Sequence, residues 1–411
     1  MKSFKPINII IKPIEIELFI LTLFAIVGYV TYLPFFISNI IIFLVPLILI
    51  FNLIYFKLTV SSKYIMFFIM YAIIGSIPFI FYTDIMSVGG NPFAIVLRAL
   101  GPFIIYIIVK NMNITYDEIS KIFILIYFLN FFLVLLQFFI FPDIKILQDG
   151  NTVQWITLDS NGGINKRIGG FLGNANALAA YVLVTVLFLE KYLSDKRKLK
   201  NIILISAFFT IVLFTKSRNV IIGVLVVSIY RLYLNKKIFI SLILILCCML
   251  FAFLIYCYQE NELVNSVFRI SNLLTNENTL EARGIVNLQA FNIWSNNFIL
   301  FGGGFSSESY YLVKFNSYAN FSEMLYTKSL LEVGIVGLFS YLFFIFYVLI
   351  YKVDDLSFKI SLKLIIFSIL LISFAETVFY LQQLYYYTFI IFGFYASLKF
   401  NSVDKLKQTS P

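Results

Sequence analysis

Apolar runs of about 20 residues follow one another along most of the chain, and short polar links separate them. An α-helix of this length crosses the hydrocarbon core of a bilayer, and in lipid a helix satisfies its own backbone polar groups. The pattern predicts an all-α, polytopic integral membrane protein with about twelve transmembrane helices. We place the spans at residues 14–33, 35–56, 64–82, 93–109, 119–141, 170–189, 201–215, 218–234, 238–258, 328–351, 360–379 and 381–398.

Two segments between the predicted spans are long enough to form structure outside the membrane. Residues 142–168 separate spans five and six, and residues 259–327 separate spans nine and ten. We therefore expect a single transmembrane domain over residues 1–411. Within it, residues 259–327 form one large outer loop subdomain that contains short helices.

The composition excludes a water-soluble protein, because 61% of the 411 residues are hydrophobic, 13% are charged and the mean hydropathy is +0.94. The chain has no histidine, which argues against a zinc site and against histidine-based catalysis. Its three cysteines lie in or at the end of one apolar run and are expected to be small core hydrophobes. We expect neither a metal ion nor another cofactor.

Basic residues are concentrated in alternate links, and 21 of the 31 Lys and Arg fall on the same side as the N-terminus. The positive-inside rule assigns that side, with both termini, to the cytoplasm. The net charge of +10 is therefore an orientation signal, and the expected surroundings are membrane lipids and not nucleic acid. The first apolar run follows Lys2, Lys5 and Lys12 without a small-residue cleavage site, so we expect it to remain as an anchor.

A few cations lie away from the positive side. Lys216 and Arg218 lie in "LFTKSRNVIIG" between spans seven and eight, Arg167 opens span six, and Arg98 lies inside span four. Arg98 is expected to face the bundle interior, because a lone guanidinium in lipid is costly. Arg167 and Arg218 are predicted to begin helices, where the helix dipole and a guanidinium together suit phosphate. The alternative for any one of these residues is a lipid-headgroup anchor or a structural ion pair.

The large outer loop contains "NENTLEARGIVNLQAFNIWSNN", which predicts a helix with Asn278 as its N-cap and Glu281 three residues later in a capping box. Arg283, Asn287 and Trp294 share one face of this helix at helical spacing. A cation, an amide and an aromatic ring on one face suit a sugar. The alternative for Trp294 is an anchor at the membrane interface.

Polar and glycine positions near the predicted outer face complete the candidate site. Asn176 leaves an amide at membrane depth in span six, and Gly302–Gly304 form either a flexible turn or a backbone nest for an anion. Glu323 stands at the mouth of span ten, where desolvation favours a general base. Glu332, inside span ten, is expected to pair with a buried arginine, and most other outer carboxylates, Glu308 among them, to be solvated.

Several sequence stretches from the predicted spans and the outer loop together resemble a known family. They are "RIGGFLGNANALAA" at span six, "SRN" at span eight, "EARGIVNLQAFNIW" followed by "FGGGF" in the outer loop, and "LLEVGIVGLFSYL" in span ten. Their order over residues 167–342 resembles the bacterial O-antigen polymerase and O-antigen ligase superfamily. The resemblance implies a GT-C-like glycosyltransferase in the bacterial inner membrane that takes a sugar chain from polyprenyl (undecaprenyl) pyrophosphate at the periplasmic face. It also implies that Arg218 and Arg283 hold the pyrophosphate.

Ligases of that superfamily carry a histidine shortly before a Glu-x-Gly-x-x-Gly element. Aligning that element on Glu332, Gly334 and Gly337 puts Glu323 at or near the histidine position, and the chain has no histidine. A polymerase of lipid-linked repeat units is therefore favoured, with a chain-length regulator protein as a further expected partner. The alternatives are an O-antigen ligase, a flippase or transporter of the same lipid-linked oligosaccharide, and a structural membrane scaffold.

The predicted site has two groups of residues. The catalytic residues are Arg218, Arg283 and Glu323. The substrate-binding residues are Arg98, Arg167, Asn176, Lys216, Trp294 and Gly303.

Overall fold

The computed structural model describes seventeen stretches of the chain. They are residues 13–26, 29–30, 70–71, 73–76, 92–112, 114–139, 146–147, 156–158, 164–166, 168–194, 196–215, 217–234, 277–305, 307–315, 324–350, 355–374 and 382–408. The predicted spans 35–56 and 238–258 lie outside these described residues.

Helices make up nearly all of the regular structure in the described part of the chain. They are α1 (Pro13–Ile26), α2 (Pro92–Asn111), α3 (Tyr116–Phe139), α4 (Ala175–Ser194), α5 (Arg197–Phe208), α6 (Arg218–Leu234), α7 (Glu277–Asn297), α8 (Glu308–Lys314), α9 (Leu325–Leu349), α10 (Leu356–Ser373) and α11 (Gln382–Gln408). A 3₁₀ turn (Gly170–Leu172) precedes α4, and a π-helical turn (Phe209–Phe214) continues α5.

Among the described helices, four are long and apolar enough to cross a membrane. They cover Tyr116–Phe139, Ala175–Ser194, Leu325–Val348 and Leu356–Ser373. The protein is therefore a helical membrane protein, as the apolar runs indicate. The total of twelve spans stays a prediction.

In the part of the chain that the structure describes, four short strands interrupt the helical pattern near the predicted outer side. β1 (Tyr29–Val30) pairs antiparallel with β2 (Ile146–Leu147), and β3 (Ile156–Leu158) pairs antiparallel with β4 (Ile164–Lys166). The prediction of a helix over residues 14–33 is wrong at its end, because α1 stops at Ile26 and the tyrosine and valine that follow join a ladder. The segment 142–168 thus contains strands that its polar sequence did not indicate.

Spans six and seven also differ from their predicted bounds. Gly170 and Gly173 have positive φ angles of 55° and 66°, so the backbone turns before α4 begins at Ala175. The prediction that Arg167 opens span six is therefore wrong, since helix α4 starts eight residues later. Span seven is longer than predicted, because α5 and its π-helical turn run from Arg197 to Phe214.

Close approach of backbones holds α2 against α11 in the centre of the bundle. A Cβ atom on Gly101 would lie 2.3 Å from the Tyr386 hydroxyl, and one on Gly393 would lie 2.8 Å from the Tyr106 carbonyl oxygen. Since each clash is with a buried group, only glycine permits this spacing. Packing of small residues is the expected way to join helices in lipid, where no hydrophobic force draws them together.

Ion pairs join helix ends that the charge pattern puts on one side of the membrane. Arg231, in the last turn of α6, donates to Glu190 near the end of α4, and Lys191 donates to Asp355, the N-cap residue of α10. The end of α4, the end of α6 and the start of α10 therefore meet at one end of the bundle. The basic links agree with this grouping, while the assignment of that end to the cytoplasm stays a prediction.

Candidate functional site

The structure describes the nine predicted site residues to different extents. Three lie wholly in the described part: Asn176, Trp294 and Gly303. Three lie on helices α2, α6 and α7 with side chains outside the described part: Arg98, Arg218 and Arg283. Three lie outside the described residues: Arg167, Lys216 and Glu323. The substrate-binding and catalytic roles of all nine stay predictions.

The side chain of Asn174 caps the N-terminus of helix α4, next to Asn176. The Asn174 Oδ1 atom accepts from the backbone N–H of Asn176 at 2.9 Å and from that of Ala177 at 3.1 Å. Two of the first amides of α4 are therefore already hydrogen-bonded, which leaves fewer of them for an anion. The half-buried Asn176 side chain stands beside this cap.

Two amide side chains that the sequence analysis did not single out hold the turn before α4. Asn130 Oδ1 accepts from the Phe171 N–H at 2.9 Å, and Gln137 Oε1 accepts from the Gly170 N–H at 3.1 Å. Both side chains are buried and lie two turns apart on one face of α3. The turn shortly after Arg167 is thus fixed against a membrane helix.

A backbone hydrogen bond joins the segment after Arg167 to the end of span seven. The Ile168 N–H donates to the Phe214 carbonyl at 3.0 Å. Ile168 follows Arg167 directly, and Phe214 precedes Lys216 by two residues and Arg218 by four. The two segments that supply the predicted phosphate-binding cations therefore meet at one end of the bundle.

The predicted sugar-binding face of α7 is partly a packing face. Thr327 Oγ1 on α9 donates to Asn287 Oδ1 at 3.3 Å, and Ala290 is completely buried. Trp294 is half-buried, and its indole N–H donates to the Ile299 carbonyl at 3.1 Å. The ring nitrogen thus ties the end of α7 to the turn that follows it, and the ring itself remains part-exposed.

The three glycines after α7 use their backbone amides within the protein. The amide of Gly302 donates to the Phe298 carbonyl at 3.1 Å, and those of Gly303 and Gly304 each donate over 2.8 Å to the carbonyls of Leu331 and Glu332. An anion nest needs free N–H groups, so these amides do not form one. The structure favours the turn, held to α9, over the nest that was the alternative for Gly303.

Helix α9 is interrupted where this glycine turn meets it. Gly334 has φ 67° and ψ −172°, and the amides of Ile335 and Val336 donate instead to the carbonyls of Ile299 and Leu300, at 3.0 and 3.2 Å. Irregular backbone at membrane depth is tolerated where protein groups satisfy it. We call residues 298–304 together with 331–336 the glycine junction.

Two carboxylates lie near the glycine junction. Glu332 is completely buried, two residues before the break in α9, and its predicted pairing with an arginine stays a prediction. Glu308 at the start of α8 is 2% exposed and accepts from Lys328 on α9 at 3.2 Å. The expectation that Glu308 is solvated is therefore wrong, because α8 folds back onto α9.

The last turns of α10 contact the helix that begins at Arg218 and the helix that follows Glu323. A Cβ atom on Gly223, five residues after Arg218, would lie 3.3 Å from Ile372. The Tyr326 hydroxyl, three residues after Glu323, donates to the Leu370 carbonyl at 3.0 Å. The start of α6 and the start of α9 thus lie at the same end of the bundle, with the end of α10 between them.

The described residues contain no cluster of metal-binding side chains. Within the described stretches, no three His, Cys, Asp or Glu side chains lie close enough to bind a metal ion. No protein-family model matches the chain, and no curated protein matches it either.

Proposed function

We propose that this protein is an O-antigen polymerase, or a polymerase of a related surface polysaccharide. It joins polyprenyl-pyrophosphate-linked oligosaccharide repeat units at the periplasmic face of a bacterial inner membrane, on a GT-C-like scaffold of about twelve spans. One observation supports this most. The starts of α6 and α9, next to Arg218 and Glu323, contact the same end of α10, and the residue after Arg167 is hydrogen-bonded to the segment before Arg218.

The reaction transfers a glycan from its lipid pyrophosphate to a sugar hydroxyl. The bond between the anomeric carbon and the pyrophosphate oxygen breaks, and the acceptor oxygen forms the new glycosidic bond. Negative charge grows on the leaving pyrophosphate, where the rigid guanidinium groups of Arg218 and Arg283 stabilise it. The acceptor proton moves to the carboxylate of Glu323, which acts as general base.

The remaining predicted residues orient the substrate. Arg98, Arg167 and Lys216 supply further positive charge, and Asn176 and the exposed part of Trp294 contact sugar. Gly303 supports the site through the glycine junction and not through its amide, which is bound to Leu331. Because the junction anchors α7 to α9 by main-chain bonds, Arg283 stands on a helix whose position is fixed, as a preorganised site requires.

A transporter of the same lipid-linked oligosaccharide is the second candidate. The interruption of α9 at Gly334 supports it, since discontinuous membrane helices form the substrate sites of many transporters. An O-antigen ligase, which would pass the glycan to lipid A core, remains the alternative within the enzyme class. All three use a cationic site for pyrophosphate, so product analysis must separate them.

The deciding experiment is a reconstituted assay with purified protein in liposomes. A synthetic polyprenyl-pyrophosphate-linked repeat unit is supplied without lipid A, and the products are separated by size. A ladder of repeat multiples is expected from a polymerase. Transfer only after lipid A core is added would identify a ligase, and movement of substrate across the bilayer without a new bond would identify a transporter.

The conservative variant Arg218→Lys tests the cation at the start of α6. Lysine keeps the charge but loses the two-pronged hydrogen bonding to phosphate, so we expect polymer formation to fall about a hundredfold. Arg231→Lys is the matched control on the same helix, because Arg231 lies in the last turn of α6, is paired with Glu190 and is 44% exposed. Near-normal polymer from Arg218→Lys at equal protein level would remove Arg218 from the site.

A further inference from the structure

A buried hydroxyl without a hydrogen-bond partner lies directly before α6. Ser217 is 1% exposed, and within the described part of the chain no group hydrogen-bonds to its Oγ atom. Its carbonyl accepts from the Ile221 N–H at 3.0 Å, which makes Ser217 the N-cap residue of this 17-residue helix. A serine at that position normally accepts from an amide of the first turn. Here it does not.

Two buried hydroxyls shortly before Ser217 in the chain are hydrogen-bonded. Thr210 and Thr215 are equally buried, and each donates at 2.8 Å to the carbonyl four residues earlier, of Ser206 and Ile211. Donation back along the helix is the ordinary solution for a hydroxyl in an apolar segment. An unsatisfied buried hydroxyl is costly, so the arrangement at Ser217 favours a partner from outside the chain.

We propose that Ser217 Oγ donates a hydrogen bond to a phosphate oxygen of the polyprenyl pyrophosphate, bound at the N-terminus of α6. This inference rests on the proposed function and adds a residue outside the predicted site. The N-terminus of a helix carries partial positive charge and suits an anion. Lys216 and Arg218 flank Ser217 in the sequence, so a neutral donor stands between two cations.

Removal of the hydroxyl separates a ligand-binding role from a structural one. Ser217→Ala deletes an unsatisfied buried group, so the thermal midpoint of the unliganded protein should stay unchanged or rise. The same variant should bind the lipid pyrophosphate about tenfold to a hundredfold more weakly, as expected for one hydrogen bond to a charged group. A serine with a merely structural role would lose stability.

The measurement is binding of undecaprenyl pyrophosphate to the purified full chain in nanodiscs, together with its thermal midpoint. Ser217→Thr retains the hydroxyl and should bind nearly as wild type. Thr210→Val is the matched control, because Thr210 donates within its helix. It should lower the thermal midpoint and leave binding unchanged. Inorganic pyrophosphate should compete for the site, whereas phosphatidylglycerol should not.

The outcomes distinguish the inference from the proposed function. Equal binding by wild type and Ser217→Ala would overturn the inference, while a polymer ladder from wild type would still support the polymerase. Weaker binding by Ser217→Ala without any ladder would support the inference and contradict the polymerase. No binding by wild type, or equally strong competition by phosphatidylglycerol, would overturn the assignment of a pyrophosphate donor.

Discussion

At the scale of single residues, Asp355 joins two membrane helices through one carboxylate. Its Oδ2 atom accepts from Lys191, and its Oδ1 atom accepts from the Ser357 N–H at 2.9 Å, which caps α10. The hydrogen bond from Lys191, followed by that from the Ser357 side chain, lowers the pKa of Asp355 to about 2. The carboxylate therefore stays ionised at pH values where an ordinary aspartate begins to protonate.

The variant Asp355→Asn tests this contribution through its pH dependence. The pKa of Asp355 is lower in the folded protein than in the unfolded chain, where it is about 3.9. Its stabilisation is therefore fully present above pH of about 4 and is lost as pH falls towards 2. Because both partners are more than one-third exposed, we expect the variant to cost less than about 1 kcal/mol at pH 7.

The check is the thermal midpoint of wild type and Asp355→Asn in detergent at pH 7 and at pH 2. The difference between them should shrink at the lower pH. In a Lys191→Gln background, Asp355→Asn should lower the thermal midpoint less at pH 7, because Asp355 has already lost the lysine that it pairs with. An unchanged difference at both pH values would show that the charge of Asp355 contributes nothing.

Residue types could be predicted from the sequence better than their partners. The absence of histidine and the positions of cations at the ends of spans can both be read directly from the amino-acid sequence. By contrast, Asn130 and Gln137 appear only as two amides in an apolar run, and their partners lie 41 and 33 residues away along the chain. Such long-range pairs depend on how helices pack, so no local pattern indicates them.

At the scale of elements, Gly334 determines the shape of α9. Its combination of φ and ψ is open almost only to glycine, and a Cβ atom there would lie 2.4 Å from the Leu300 carbonyl oxygen. Gly334→Ala should therefore destabilise the protein by about 2 to 4 kcal/mol. The measurement is the thermal or denaturant midpoint of the purified variant.

Gly284→Ala is the control for this substitution. Gly284 lies inside α7, is exposed, and has no atom within 4 Å of an added Cβ. Alanine is the better helix former, so this variant should gain up to about 1 kcal/mol. If Gly334→Ala were as stable as Gly284→Ala, α9 would have to run without its break.

Helix existence was easier to predict than helix ends. The apolar runs at residues 119–141, 328–351 and 360–379 correspond to α3, α9 and α10 within a few residues. The predicted start of α4 was wrong, because glycines with positive φ angles form a turn there. The predicted end of α1 was wrong, because the residues beyond it pair with the strand Ile146–Leu147. The break in α9 was also missed, since "LLEVGIVGLF" is a continuous apolar run around one glutamate.

At the scale of the whole molecule, the ion pairs and the glycine junction mark two opposite ends of the helix bundle. Glu190, Lys191, Arg231 and Asp355 meet at one end, and the glycine junction and Lys328 lie at the other. The positive-inside rule assigns the first end to the cytoplasm.

Single cysteines test the orientation in spheroplasts. In a background with Cys247, Cys248 and Cys257 replaced by alanine, Ser194→Cys marks the predicted cytoplasmic end and Asn296→Cys the predicted outer end. Both positions are exposed. A membrane-impermeant maleimide should label the cysteine at 296 in intact spheroplasts and the cysteine at 194 only after permeabilisation.

The reverse labelling pattern would place the glycine junction in the cytoplasm and would contradict a periplasmic polymerase. Labelling of both positions in intact spheroplasts would indicate a leaky preparation, which a cytoplasmic marker protein detects. The Ser194→Cys variant therefore also serves as the internal control for membrane integrity.

The glycine junction has a consequence for how this protein tolerates sequence change. Main-chain groups make its hydrogen bonds, while the side chains of Ile299, Leu300 and Phe301 are each about half exposed. Substitutions among apolar side chains at these three positions should therefore be accepted freely, whereas the adjoining glycines allow almost no replacement. A saturation library over residues 299–304 should therefore show many accepted substitutions at positions 299–301 and almost none at positions 302–304.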